Sequence, residues 1–136
     1  MTLRRTALLV LPALALSLTG TTAAEARSYS WKTMTSISGG KVQACRVPTS
    51  LDNPYKFRFR VNAMKATSRV SGVAYRMKGE QQLSGGWRTG YIRPRHVSDV
   101  AVVRLPRGRA YSLNIGIGTG GMGNGGPFRA ADIPRC

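Results

Sequence analysis

Apolar and polar positions alternate with a period of two along most of the chain beyond residue 40. The clearest run is Tyr55 to Val61, where Tyr55, Phe57, Phe59 and Val61 fall on one side and Lys56, Arg58 and Arg60 on the other. Successive side chains of an extended backbone point to opposite faces, so this run predicts a strand with one buried face. Asp52-Asn53-Pro54 just ahead of it is a turn signal. The same rhythm sets Val73, Tyr75 and Met77 against Ala74, Arg76 and Lys78. It sets Trp87, Thr89 and Tyr91 against Arg88 and Gly90, and Tyr111, Leu113, Ile115 and Ile117 against Ser112, Asn114 and Gly116. Val42–Val47 and Val100–Leu105 are shorter β-rich runs, and Tyr29–Ile37 is a weaker one. Gly39-Gly40, Gly85-Gly86, Arg93-Pro94 and Pro106-Arg107-Gly108 punctuate them, and no window after residue 26 carries a helical stripe.

Short strands at regular spacing, separated by turn residues, predict an all-β domain of about seven or eight strands, a sandwich or barrel. Leu105-Pro106-Arg107-Gly108-Arg109-Ala110-Tyr111 leads into an alternating strand. This resembles the tyrosine corner of Greek-key sandwiches, in which a phenol hydroxyl bonds a nearby backbone group and locks a turn between sheets. With the strand rhythm, it is similar to fibronectin type III and related immunoglobulin-like domains. The resemblance implies a Greek-key immunoglobulin-like sandwich but no activity, because that fold hosts many. Leu113 stands where antibody domains place a cysteine two residues after the tyrosine.

The start of the chain follows a different rule. Arg4 and Arg5 precede an apolar run over 7–18, followed by small polar residues and Ala24-Glu25-Ala26. A basic start, a short apolar core and an Ala-x-Ala site describe a secretory signal peptide over 1–26. The rival reading, an uncleaved anchor, meets an apolar stretch short of the roughly 20 residues a span needs. Residues 27–136 then form one domain, in which Cys45 and Cys136 read as a disulfide in an oxidising compartment. Two free thiols or an intermolecular bridge are the alternatives.

Loss of Arg4, Arg5 and Glu25 with the leader leaves 19 Lys and Arg against four acids, a charge of +15. Small domains designed for solubility usually carry a magnitude of roughly 2 to 8. A GC-rich genome inflates Arg, but it does not remove Asp and Glu, so the imbalance points to polyanionic partners. Read with the tyrosine-corner register, the Tyr55–Val61 strand is expected to lie between Val70–Lys78 and Tyr111–Ile117. Lys56, Arg58, Arg60, Arg76 and Lys78 would then share one face, with Arg93, Arg95 and His96 at a turn and Arg107 and Arg109 at the corner. The competing reading is a solvated face whose Arg stems cover apolar surface.

Catalytic constellations are sparse. His96, Ser98 and Asp99 supply the residue types of a nucleophilic triad but are near neighbours, whereas such triads converge from distant segments. Asp52, Glu80, Asp99 and Asp132 sit in or beside turns and advertise no glycosidase pair, and one His with scattered acids gives no metal cluster. Gly116-Ile117-Gly118-Thr119-Gly120-Gly121 matches G-x-G-x-x-G without the helix start a dinucleotide site requires, and reads as a flexible loop between the last two strands.

These features lead to an expectation of a secreted, non-catalytic binding module without cofactor. It would dock on a cell-wall polymer, an anionic lipid surface or extracellular nucleic acid through Lys56, Arg58, Arg60, Arg76, Lys78, Arg93 and Arg95. Trp87 and the strand tyrosines are expected on the inward parity, which disfavours a specific nucleic-acid reader. The alternative is a secreted inhibitor or antagonist acting through Pro48–Pro54 or Thr119–Pro127.

Overall fold

The computed structural model describes residues 29–136, so the leader read over 1–26 lies outside the described residues. The chain is all-β: β1 (Lys32–Ile37), β2 (Gly40–Val47), β3 (Tyr55–Asn62), β4 (Ser71–Lys78), β5 (Gln81–Arg88), β6 (Ala101–Leu105), β7 (Tyr111–Thr119) and β8 (Met122–Phe128). Two antiparallel four-stranded sheets form, one in the order β1-β2-β3-β6 and the other in the order β5-β4-β7-β8. The only helical turn among the described residues is the 3₁₀ segment Ala130–Asp132.

The alternation read at Tyr55–Val61 is what fills the space between the sheets. Phe57, Phe59 and Val61 are fully buried, opposed by Leu113, Ile115 and Ile117 of β7, with Val42, Ala44, Val103 and Leu105 on the flanking strands. Full burial of each such side chain contributes about 1.5–3 kcal/mol. Phe59 stacks on Trp87 with ring centroids 5.4 Å apart, and the indole is almost sealed from solvent, as its parity predicts.

Three expectations fail, each for a physical reason. First, β3 lies between β2 and β6, and β4 and β7 belong to the opposite sheet. The chain changes sheets after β3, after β5 and again after β6, and strand periodicity carries no record of those crossings. Second, β4 presents the other face. Its inward residues are Gly72, Ala74 and Arg76, opposite Ile117, Ile115 and Leu113, whereas Val73, Tyr75 and Met77 point outward and are half-buried. The space beside Trp87 admits only a small residue, since a Cβ at Gly72 would lie 2.6 Å from Val61 Cγ2 and 2.9 Å from Trp87 Cη2. Third, the glycine-rich stretch is not a loop. Gly116 and Gly118 lie in β7, and residues 122–128 pair with it along β8, leaving only the turn at Gly120-Gly121. Tyr91 also departs from the inward parity and is exposed.

Arg76 is held at the end of the sandwich by a bulge in β5. Between its pairs with Leu83 and Trp87, β4 advances two residues while β5 advances four. Gly85, at φ +81°, supplies the left-handed backbone of this bulge and leaves room for the guanidinium, since a Cβ there would sit 2.7 Å from Arg76 Nη1. Arg76 Nη1 donates to Ser84 O at 2.9 Å.

Cys45 and Cys136 form a disulfide that closes a loop of 91 residues. It places the C-terminal segment beside the end of β2, where Arg46 N donates to Pro134 O at 2.7 Å and Cys136 N to Arg46 O at 2.9 Å. The chain-entropy relation for a loop of this size gives about 4–5 kcal/mol. Replacing both cysteines by alanine is expected to lower the unfolding free energy by up to that amount, read as a shift in urea midpoint.

Candidate functional site, a cationic sheet face

The outward parity of β3 puts Lys56, Arg58 and Arg60 on the solvent side of the first sheet. The neighbouring strands extend this set: Lys41 of β2 stands opposite Asn62, and Arg104 of β6 stands opposite Lys56. No Asp or Glu occurs in β1, β2, β3 or β6. The result is a face carrying Lys41, Lys56, Arg58, Arg60 and Arg104, with no acid on its own strands. The four strands of the first sheet hold seven Lys and Arg in all, those of the second sheet three.

The chain entering β1 lies against this face. Tyr29, Trp31 and Thr33 share one parity, and Thr33 pairs with outward-facing Gln43. Arg58 sits 4.1 Å above the Tyr29 ring and Arg60 4.4 Å above the Trp31 ring, while the two rings meet edge to face at 5.7 Å. Arg60 Nε donates to Gln43 Oε1 at 2.9 Å, and the partial burial that goes with this packing lowers its pKa from the ordinary arginine value. These cation–π contacts hold the two guanidinium groups over the rings, so less rotamer freedom is lost when they meet a phosphate or carboxylate.

The side-chain hydrogen bonds of Arg60, Arg76, Arg88 and Arg107 all end on neutral acceptors, namely Gln43, Ser84, Tyr75, and residues 49, 50 and 53. The positive charge is therefore left uncompensated by these contacts. Lys56 and Arg104 face each other directly across the β3–β6 ladder, an arrangement that costs stability unless an anion sits between them.

The seven sequence-predicted binding residues divide among three places. Lys56, Arg58 and Arg60 share the face just described. Arg76 and Lys78 are in β4 of the opposite sheet, with Arg76 turned inward under the bulge, so the two groups do not form one surface. Arg93 and Arg95 lie in the connection between β5 and β6 and are exposed. Arg107 is occupied as a clamp: it donates to Asn53 O, Thr49 O, Thr49 Oγ1 and Ser50 O and lies 4.2 Å over Tyr55. Lys41, Arg104, Tyr29 and Trp31 were missed. The parity of Tyr29, Trp31 and Thr33 was a readable signal for the aromatic pair.

Ser98 has no freedom to attack. Its Oγ accepts from Val61 N at 2.7 Å and donates to Asp99 O at 3.0 Å, which uses the hydroxyl as a splint for the β5–β6 connection. His96 Nδ1 donates to Pro94 O at 3.0 Å, not to Ser98. Among the described residues no group of three or more His, Cys, Asp or Glu could hold a metal ion.

No family model, curated protein or solved structure matches this chain. What the site can do thus rests on its own geometry.

Lys56→Gln should relieve the repulsion from Arg104. The expected gain is about 0.2–1 kcal/mol in low salt, seen as a higher midpoint in thermal unfolding. The gain should fade at high ionic strength, where screening already removes the repulsion.

Proposed function

We propose that this protein is a secreted, non-catalytic module that docks on polyanionic surfaces through the outer face of the β1-β2-β3-β6 sheet. The observation that carries this reading is the set Lys41, Lys56, Arg58, Arg60 and Arg104 on strands without a single acid, two of them held over aromatic rings. A flat, fixed array of guanidinium and ammonium groups suits repeated phosphate or carboxylate, as in a cell-wall polymer, an anionic lipid surface or extracellular nucleic acid. The Cys45–Cys136 disulfide fits an oxidising, extracellular setting, and no helix of the described residues is long and apolar enough to cross a membrane.

We read the frame as an immunoglobulin-like Greek key of the fibronectin type III kind. Supporting this, β2, β3 and β6 lie together in one sheet opposite β5, β4, β7 and β8, with β1 as an added edge strand. At the corner Leu105 is buried, Tyr111 N donates to Gly108 O at 3.3 Å, and the Tyr111 ring packs against Gly108. The corner departs from the motif in that, among the described residues, the Tyr111 hydroxyl bonds no backbone group.

Salt-gradient elution from immobilised heparin and from anionic vesicles tests the reading. Lys56→Gln with Arg104→Gln should elute at clearly lower salt than wild type, with each lost phosphate contact reducing the log–log salt slope by about 1. Lys65→Gln with Lys78→Gln removes the same charge elsewhere and should shift elution less. Equal shifts for the two pairs, or retention indifferent to salt, would refute a specific face.

One observation favours a second reading, an antagonist that inserts a loop into a partner's cleft. Leu51 is 85% exposed at the tip of the Pro48–Pro54 loop, which Arg107 and the bonds Thr49 Oγ1→Pro54 O and Asn53 Nδ2→Ser50 Oγ hold rigid. On that reading Leu51→Asp abolishes capture of a single protein partner and leaves heparin retention unchanged, whereas loss of neither sinks it.

A further inference from the structure

Away from the cationic face, the end of β5 and the connection that follows it border an open, shallow cleft of about 490 Å³ lined by Trp87, Tyr91, Ile92, Arg93, His96 and Asp99, among others. That size is within the range of small-molecule sites, roughly 300–1,000 Å³. The walls are formed in advance by backbone bonds. Val70 and Ile92 exchange N–H···O bonds of 3.1 and 2.7 Å, Arg95 N donates to Ala63 O at 2.8 Å, Ala63 N to His96 O at 2.9 Å and Ser98 N to Val61 O at 2.9 Å.

The polar groups presented there are specific. Trp87 is only 8% exposed and its Cη2 is turned toward Gly72 in the core. Among the described residues its Nε1–H meets no acceptor and is not sealed from solvent, and the indole is part of the cleft wall. Solvent reaches this N–H, so an acceptor on a ligand can take the place of the water it otherwise meets. His96 Nδ1 donates to Pro94 O, so in the neutral ring Nε2 carries the lone pair, and the exposed side chain is open to a ligand. Arg88 and Arg93 are the cations of the cleft; Arg88 Nη2 donates to the Tyr75 hydroxyl at 2.7 Å, which leaves Arg93 the one without a side-chain hydrogen bond among the described residues. Tyr91, 61% exposed, provides an aromatic face, and Asp99 provides a carboxylate acceptor.

We propose that this cleft binds a small acid built on a single ring, aromatic or sugar, bearing a phosphate or carboxylate. Tyr91 packs on the ring, Arg93 takes the acidic group, and Trp87 Nε1–H, His96 Nε2 and Asp99 meet the ring's polar edge. A bare anion would leave the aromatic wall unused, and a bare hydrocarbon would leave the indole N–H unpaired. The site is separate from the sheet face and stands or falls independently of polyanion docking.

The chain has two tryptophans, so Trp31→Phe makes Trp87 the sole indole reporter in the otherwise intact protein. Its emission is titrated with phenyl phosphate and glucose 1-phosphate, and with phenol, glucose and inorganic phosphate as the separated halves. A saturable change with at least one ring phosphate, at least about tenfold tighter than with either of its halves, is expected; which of the two responds tells an aromatic from a sugar ligand. Arg93→Gln should weaken it about tenfold or more, the loss of a charge-assisted hydrogen bond, while Lys56→Gln with Arg104→Gln leaves it unchanged. Far-UV circular dichroism of the Arg93 variant confirms that the loss is not unfolding, and Tyr91→Ala, also at an exposed position, should weaken binding by removing the ring contact. The proposal is overturned if neither ring phosphate gives a saturable response, if inorganic phosphate matches them, or if Arg93→Gln changes nothing.

Discussion

The two-residue period of β3 binds core and surface together. Each aromatic or branched residue that β3 plants between the sheets, Phe57, Phe59 and Val61, obliges the residue beside it to face out, and those residues are Lys56, Arg58 and Arg60. A shift of register by one would bury three cations and expose the centre of the core, so the pairing of β3 with β2 and β6 is strongly specified. The cationic face is thereby as rigid as the core behind it.

Around that strand the molecule divides its labour. The first sheet holds most of the strand cations, and the aromatic chain entering β1 stacks on two of them. The second sheet supplies the aliphatic inner surface of β7 and the small residues that let Trp87 lie flat on Phe59. Its outer surface is composed largely of Ser112, Asn114, Gly116, Gly118, Gly123 and Gly125, with Val73, Tyr75 and Met77 half-buried among them. The two exteriors differ in chemistry because glycine and small polar side chains suffice where the backbone ladder alone holds the strands.

What could be read from residues alone follows the same physics. β3 was legible because its two faces differ as much as side chains can, aromatic against charged. The Cys45–Cys136 bridge, the burial of Trp87 and the all-β class were legible too, and the structure bears them out. In β4 both parities carry apolar groups, and hydrophobicity chose Val73, Tyr75 and Met77; steric room beside Trp87 chose Gly72 and Ala74. β8 has almost no side-chain signal, being Met-Gly-Asn-Gly-Gly-Pro-Phe, and exists as a strand through its pairing with β7. The cationic face was half legible. Its β3 members were found, but Arg76 and Lys78 were assigned to it because adjacency of strands depends on where the chain crosses between sheets. Lys41 and Arg104 join it only through that tertiary arrangement.

The bulge that shelters Arg76 has a consequence for how molecules meet. An open sheet ends in a row of unused amide and carbonyl groups onto which a foreign strand can add. β5 is such an edge of the second sheet, and the extra residues around Gly85 interrupt its ladder and increase its twist. The accommodation of one guanidinium thus also breaks the straight template that a neighbouring chain would need, protecting by backbone shape a border that has Arg88 as its one charged side chain.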